Sequence, residues 1–167
     1  FEPAEESVQV NGQLVYDLVV EGTADGLNGY EVTAAVDDSS VATITDAELV
    51  QFGGQYSRTE IADDGSSVYF EEAVGEATTP DGSFTLAQVT LTASDSKGTT
   101  KVSVSDSTEL QADDFSYYDP TVEDAQIAVL NPPDITNNGN RSNDPDDDGV
   151  YGDIDGDGET DIFDVQA

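Results

Sequence analysis

A chain of 167 residues can hold one domain with a proper core and a short appendage, and is too short for two ordinary domains. Its 37 acidic residues face four basic ones, a net charge of −33, which makes nucleic acid and anionic membrane surfaces poor partners. Cys, His, Met and Trp are absent, which excludes disulfides, thiolate zinc sites, Ser-His-Asp triads and Cys-His dyads. Carboxylate pairs remain, but at this density some lie close by chance, so the expectation is no enzyme. No apolar run approaches the roughly 18 residues of a membrane span. Phe1-Glu-Pro-Ala-Glu-Glu has neither the basic start nor the apolar stretch of a signal peptide and reads as the start of an already processed chain.

The first 131 residues read as short strands between turn residues. Val8 and Val10 lead into Asn11-Gly12, and Val15-Tyr-Asp-Leu-Val-Val-Glu21 is rich in β-branched residues. The segment 22–29 is a Gly-rich loop. Tyr30-Glu-Val-Thr-Ala-Ala-Val36 alternates, Asp37-Asp-Ser-Ser40 breaks it, and Val41-Ala-Thr-Ile-Thr45 follows. Thr59-Glu-Ile61 and Ser67-Val-Tyr-Phe-Glu71 flank a turn at 62–66 and predict a hairpin. Phe84 to Ala93 is the cleanest strand; Thr99 to Ser105 and Ala125 to Leu130 follow, separated by a loop through Tyr117-Tyr-Asp-Pro120. Short strands at near-regular spacing without a helical period predict an all-β, antiparallel sandwich.

Gly29-Tyr-Glu-Val-Thr-Ala-Ala-Val36, followed by Asp37-Asp-Ser-Ser-Val-Ala-Thr-Ile-Thr-Asp46, resembles the cohesin stretch in which a strand beginning Gly-Tyr runs into a set of the Asp-Pro-Ser-Val type. The usual Pro is replaced by Asp38 or Ser39. Phe84 to Ala93 and Lys97 to Val104 resemble two later cohesin strands, and the likeness covers roughly residues 7 to 130. The resemblance implies a jelly-roll sandwich, a fold shared with carbohydrate-binding modules. Ten acidic residues and no basic one fall within 144–167, which leaves −23 on the preceding 143 residues. That surface repels itself in dilute buffer, whereas at molar salt the screening length falls to about 3 Å. The composition resembles that of proteins from halophilic archaea.

Three parts are therefore expected: a sandwich over 1–131, a linker over 132–143 and a calcium-binding segment over 144–167. The linker is rich in Pro, Asn, Gly and Ser. Within it Asn140-Arg-Ser142 fits the N-glycosylation pattern, a tripeptide short enough to arise by chance.

Asp153-Ile-Asp-Gly-Asp-Gly-Glu-Thr-Asp-Ile-Phe-Asp164 fits a calcium loop of the EF-hand type. Ca²⁺ takes six to eight oxygens at about 2.3–2.6 Å, supplied from positions 1, 3, 5, 7, 9 and 12 around a glycine at 6. Asp153, Asp155 and Asp157 fill the first three, Gly158 is the turn residue, Glu159 offers its carbonyl, Asp161 acts through water and Asp164 closes the loop. Upstream, Asp144-Pro-Asp-Asp-Asp-Gly149 begins an imperfect second loop, with Asp144, Asp146, Asp148, the Val150 carbonyl and Asp155, which the two loops would share. A solvated acidic tail is the plain alternative, but it would not place glycine at both sixth positions. Aspartate at position 12, with Val165-Gln-Ala167 as the start of a helix, resembles the first half of a dockerin. That resemblance implies partner contact through Ile162 and Phe163; the competing reading packs both under the loop.

The leading expectation is an extracellular or cell-surface structural protein. It would assemble through its sandwich and calcium tail into a filament or lattice, with itself or a cohesin/dockerin-type protein as partner. The alternative is a carbohydrate-binding or adhesion module that holds polysaccharide on exposed aromatics such as Tyr56, Tyr69, Tyr117 or Tyr118, for which a flat row of tyrosines would be the discriminating feature. The plain reading of those tyrosines is core and strand packing.

Overall fold

Inward-facing apolar side chains alternate with polar ones along most of the strands, and this period of two builds the molecule. The computed structural model describes residues 1–23, 26–50, 56–74, 82–105, 107–112, 114–131, 142, 153, 154 and 156. The chain divides into two compact units, Phe1–Val129 and Leu130–Ala167.

The first unit is a two-sheet sandwich with no helix among the described residues. Its strands are β1 (Glu5–Gln9), β2 (Gln13–Thr23), β3 (Gly29–Val36), β4 (Ala42–Leu49), β5 (Tyr56–Ile61), β6 (Ser67–Ala73), β7 (Gly82–Ala93), β8 (Gly98–Val104), β9 (Glu109–Gln111) and β10 (Ala125–Leu130). The larger sheet has the order β1-β10-β8-β3-β6-β5, with β9 also paired to β3; the smaller is β2-β7-β4. The pairs β10–β8, β8–β3, β3–β6, β6–β5 and β3–β9 are antiparallel, as are β2–β7 and β4–β7.

The core lies between the sheets. From the larger come Val32, Ala34, Val68, Phe70, Val102, Ile127 and Val129; from the smaller come Leu18, Ile44, Leu86, Val89 and Leu91. Each such side chain, fully buried, contributes about 1.5–3 kcal/mol by leaving water. Tyr16 is wholly buried, and its hydroxyl donates to the Gln126 carbonyl at 3.4 Å.

Several elements depart from the expected pattern: β2 runs to Thr23, into the segment expected as loop, and β5 begins at Tyr56, ahead of the expected Thr59. β4 runs on to Leu49 because the register shifts between Ile44 and Asp46. Alternation restarts after this bulge, with Ala47 and Leu49 turned to the core, although Asp46 and Glu48 make the segment look like loop. β9 was not expected, since three residues in a polar stretch carry too little period to read.

The turns are held by short side chains bonding their own backbone. In Asp38-Ser-Ser40, Asp64-Gly-Ser66 and Asp114-Phe-Ser116 an aspartate Oδ1 accepts the amide two residues on, at 3.0, 3.0 and 2.9 Å. Hydrogen bonds from the serines hold all three carboxyls below their ordinary value. Gly65, at φ +66, lies in the β5–β6 turn, where its carbonyl accepts the Ile44 amide at 2.8 Å.

Candidate functional site

The outer face of the larger sheet carries the chemistry. Antiparallel partners share a face, so the register places side chains in rows across β5, β6 and β3. One row is Arg58, Glu71, Glu31 and, on β9, Glu109. The next is Glu60, Tyr69 and Thr33.

Arg58 sits over the Tyr69 ring, 5.6 Å from its centroid, and pairs with Glu60 at 2.7 Å. The Tyr69 hydroxyl is pushed up to about 12, first by desolvation and then by the charges of Glu31 and Glu71, both of which also hydrogen-bond it. Lys101, on β8, reaches Asp124 at 3.3 Å. Glu71, Glu31 and Glu109 are direct cross-strand neighbours, a like-charge arrangement that weakens a sheet. Among the described residues no three acidic groups converge to hold a metal ion.

Behind this face the larger sheet buries a polar pair. Tyr30 and Glu72 are direct partners on the inward side, 3% and 2% exposed, and the tyrosine hydroxyl donates to Glu72 Oε2 at 2.9 Å. Burial, then the Glu72 charge and hydrogen bond, push the Tyr30 hydroxyl far above its ordinary value. Glu72 continues the inward slots of Val68 and Phe70, a signal the alternation carried although the residue type concealed it.

The tyrosines singled out in the sequence separate. Tyr56 and Tyr117 are 49% and 61% exposed, whereas Tyr69 lies under Arg58. Tyr118 is half-buried, packs against the core and donates to the Gly26 carbonyl at 3.1 Å.

In the second unit Asp153 is buried, and its Oδ1 accepts the Gly156 amide at 2.8 Å, with Gly156 at φ +71. Ser142, the third residue of the glycosylation tripeptide, is 1% exposed. Asp155, Asp157, Glu159, Asp161 and Asp164 of the downstream loop lie outside the described residues. So do Asp144, Asp146, Asp148 and Val150 of the upstream loop, together with Ile162, Phe163 and Asn140.

No protein-family model matches the chain. No curated protein matches it either. Solved structures do. A type I cohesin–dockerin complex from Clostridium thermocellum matches with TM-score 0.64 and 12% identity, over 76% of this chain and 90% of that one. A cohesin module from a Clostridium perfringens family 33 glycoside hydrolase gives 0.60 and 12%, over 75% and 90%. A non-cellulosomal cohesin from the archaeon Archaeoglobus fulgidus gives 0.59 and 12%, over 76% and 86%. At such identity the likeness is one of fold, and the fold is the cohesin β-sandwich.

Proposed function

We propose that the chain is an extracellular, non-catalytic interaction module that binds calcium through its C-terminal segment and assembles into a filament or surface lattice. The outer face of the larger sheet is the docking surface. The partner is the calcium segment of another copy or a dockerin-type protein. The observation that carries this is the Arg58–Tyr69 stack set among Glu31, Glu60 and Glu71. Arg and Tyr are the residues that anchor interfaces, and the Arg58 guanidinium suits the calcium segment, which stays acidic with calcium bound. Dockerin complexes among the similar structures support a partner of that type.

Asp153 supports the metal. An EF-hand loop begins on a carboxylate folded back onto its own backbone, and Asp153 accepts the Gly156 amide in such a turn. Calcium, when bound, would offset part of the charge of the ten acidic residues of 144–167 and so let that segment hold a docking shape.

Sedimentation in about 3 M salt, where charge repulsion is screened, tests assembly. The native protein with calcium should sediment as large species, while EGTA-treated protein, Arg58→Glu and Phe163→Asp should sediment as monomers. Identical monomeric sedimentation of all four would exclude assembly. Titration of Asp153→Ala, Asp157→Ala should lack the tightest calcium-binding heat; an unchanged isotherm would place the ion elsewhere.

The alternative, a carbohydrate-binding or adhesion module, has its own observation in the two exposed tyrosines at the Gly29 end of this face.

A further inference from the structure

Five residues stand side by side across the larger sheet. Tyr56 pairs with Ala73, Ala73 with Gly29, Gly29 with Gln111, and Gln111 with Tyr117. Their chain neighbours Glu72, Tyr30 and Leu110 are buried toward the core, so this row belongs to the outer face. At about 4.8 Å per strand the row spans roughly 19 Å. A tyrosine stands exposed at each end, and between them glycine and alanine raise almost nothing above the backbone. A cleft of about 340 Å³ lies here, walled by Tyr117, Gln111, Asn28 and the carboxylates Glu31, Glu71 and Glu109.

We infer that this trough binds a neutral glycan chain lying across the strands. The inference rests on the carbohydrate-binding alternative and not on assembly through the calcium segment. A sugar ring presents apolar C–H faces and a rim of hydroxyls. The tyrosine rings offer apolar faces with a polar edge, and the bare Gly29–Ala73 floor lets a flat ring approach the sheet. Asn28 and Gln111 can donate and accept, while the glutamates accept from hydroxyls in charge-assisted bonds. The same carboxylates repel anionic chains. A peptide strand would take a sheet edge and not a face.

The platform is built before any ligand arrives. Gln111 Nε2 donates to the Tyr117 hydroxyl at 3.3 Å, the Ala112 amide to the Ser116 carbonyl at 2.8 Å, and Asp114 caps the turn between them. In that turn Phe115 sits at φ +66 and is 69% exposed. A non-glycine residue in this conformation costs energy, and here the outlay holds an aromatic ring in water.

Calorimetric titration with cellohexaose and with chitohexaose, using an alginate oligomer as the anionic control, tests the trough. The variants are Tyr117→Ala and Ala73→Gln, both at exposed positions, with circular dichroism to check the fold. The native protein should bind at least one neutral oligomer and not alginate. Each variant should weaken that binding at least about tenfold, equivalent to about 1.4 kcal/mol. Native affinity retained by either variant overturns the trough and leaves a glycan-binding module in place. No heat with either neutral oligomer overturns both, and alginate binding as tight as theirs overturns the neutral-glycan assignment. Sedimentation behaviour is read separately and bears on assembly alone.

Discussion

The outer faces of the two sheets use polar residues in opposite ways. On the smaller sheet they bond one another: Gln13 donates to Thr92 at 3.2 Å, Thr45 and Thr92 share a bond at 2.9 Å, and Gln88 donates to Asp17 at 2.9 Å. On the larger sheet three glutamates lie directly opposite each other, and Arg58 rests on Tyr69 while pairing with Glu60. The first arrangement stabilises strands; the second strains them and leaves charge and aromatic surface for something else. Local rules are broken where binding is proposed and kept where it is not. The inner faces contrast too, since the smaller sheet packs mainly aliphatic side chains whereas the larger buries Tyr30 and Glu72.

The largest effect should come from the aliphatic side. Leu91 lies on the central strand of the smaller sheet at 1% exposure, and Leu91→Ala should cost about 2–5 kcal/mol in denaturant unfolding through lost burial and the cavity left behind. Tyr30→Phe should cost less, about 1–3 kcal/mol, because it removes one donor from a buried carboxylate and leaves the ring in place.

The same substitution should change alkaline behaviour. Both Tyr16, pushed up to about 12 by burial and then by the Glu6 charge, and Tyr30 hold their protons more tightly folded than unfolded. Above the ordinary tyrosine value near 10 the unfolded chain releases protons first, so stability should fall as pH rises from there. Melts between about pH 9 and 12 should show the decline, and Tyr30→Phe should make it shallower.

The smallest pair separates the outer faces by sign. Glu31→Gln keeps an acceptor for Tyr69 while removing a like charge, and should raise stability by up to about 1 kcal/mol, less in about 3 M salt. Asp17→Ala loses the bond from Gln88 and should lower stability by about 0.5–1.5 kcal/mol. Equal signs in low-salt melts would erase the distinction between the faces.

The sandwich was legible because alternation is written into sequence: Val32, Ala34 and Val36, or Val68 and Phe70, announce an inward face without help. β4 was cut short because a bulge moves the period by one and no residue type marks it. The face on which docking is proposed was not legible at all. That Glu71, Glu31 and Glu109 are neighbours depends on the pairing register of strands far apart in the chain, and the same holds for the Tyr56 to Tyr117 row. The tyrosines could be suspected singly; their alignment needed the sheet. The Asp-x-Asp-x-Asp spacing is local and reads without a fold, and of those carboxylates Asp153 is the one among the described residues.

Gly65 gives the β5–β6 hairpin a mechanical anchorage. Its carbonyl takes the Ile44 amide of β4, and the next carbonyl, at Ser66, takes the Val36 amide at the end of β3, so one turn is riveted to both sheets. A Cβ there would lie 2.9 Å from the Ile44 carbonyl oxygen, at a φ that side chains avoid, so only glycine fits without strain. Tension applied to β5 and β6 would reach the smaller sheet through this corner as well as through the ladder to β3. The hairpin would be loaded at two points and would resist being peeled away one hydrogen bond at a time.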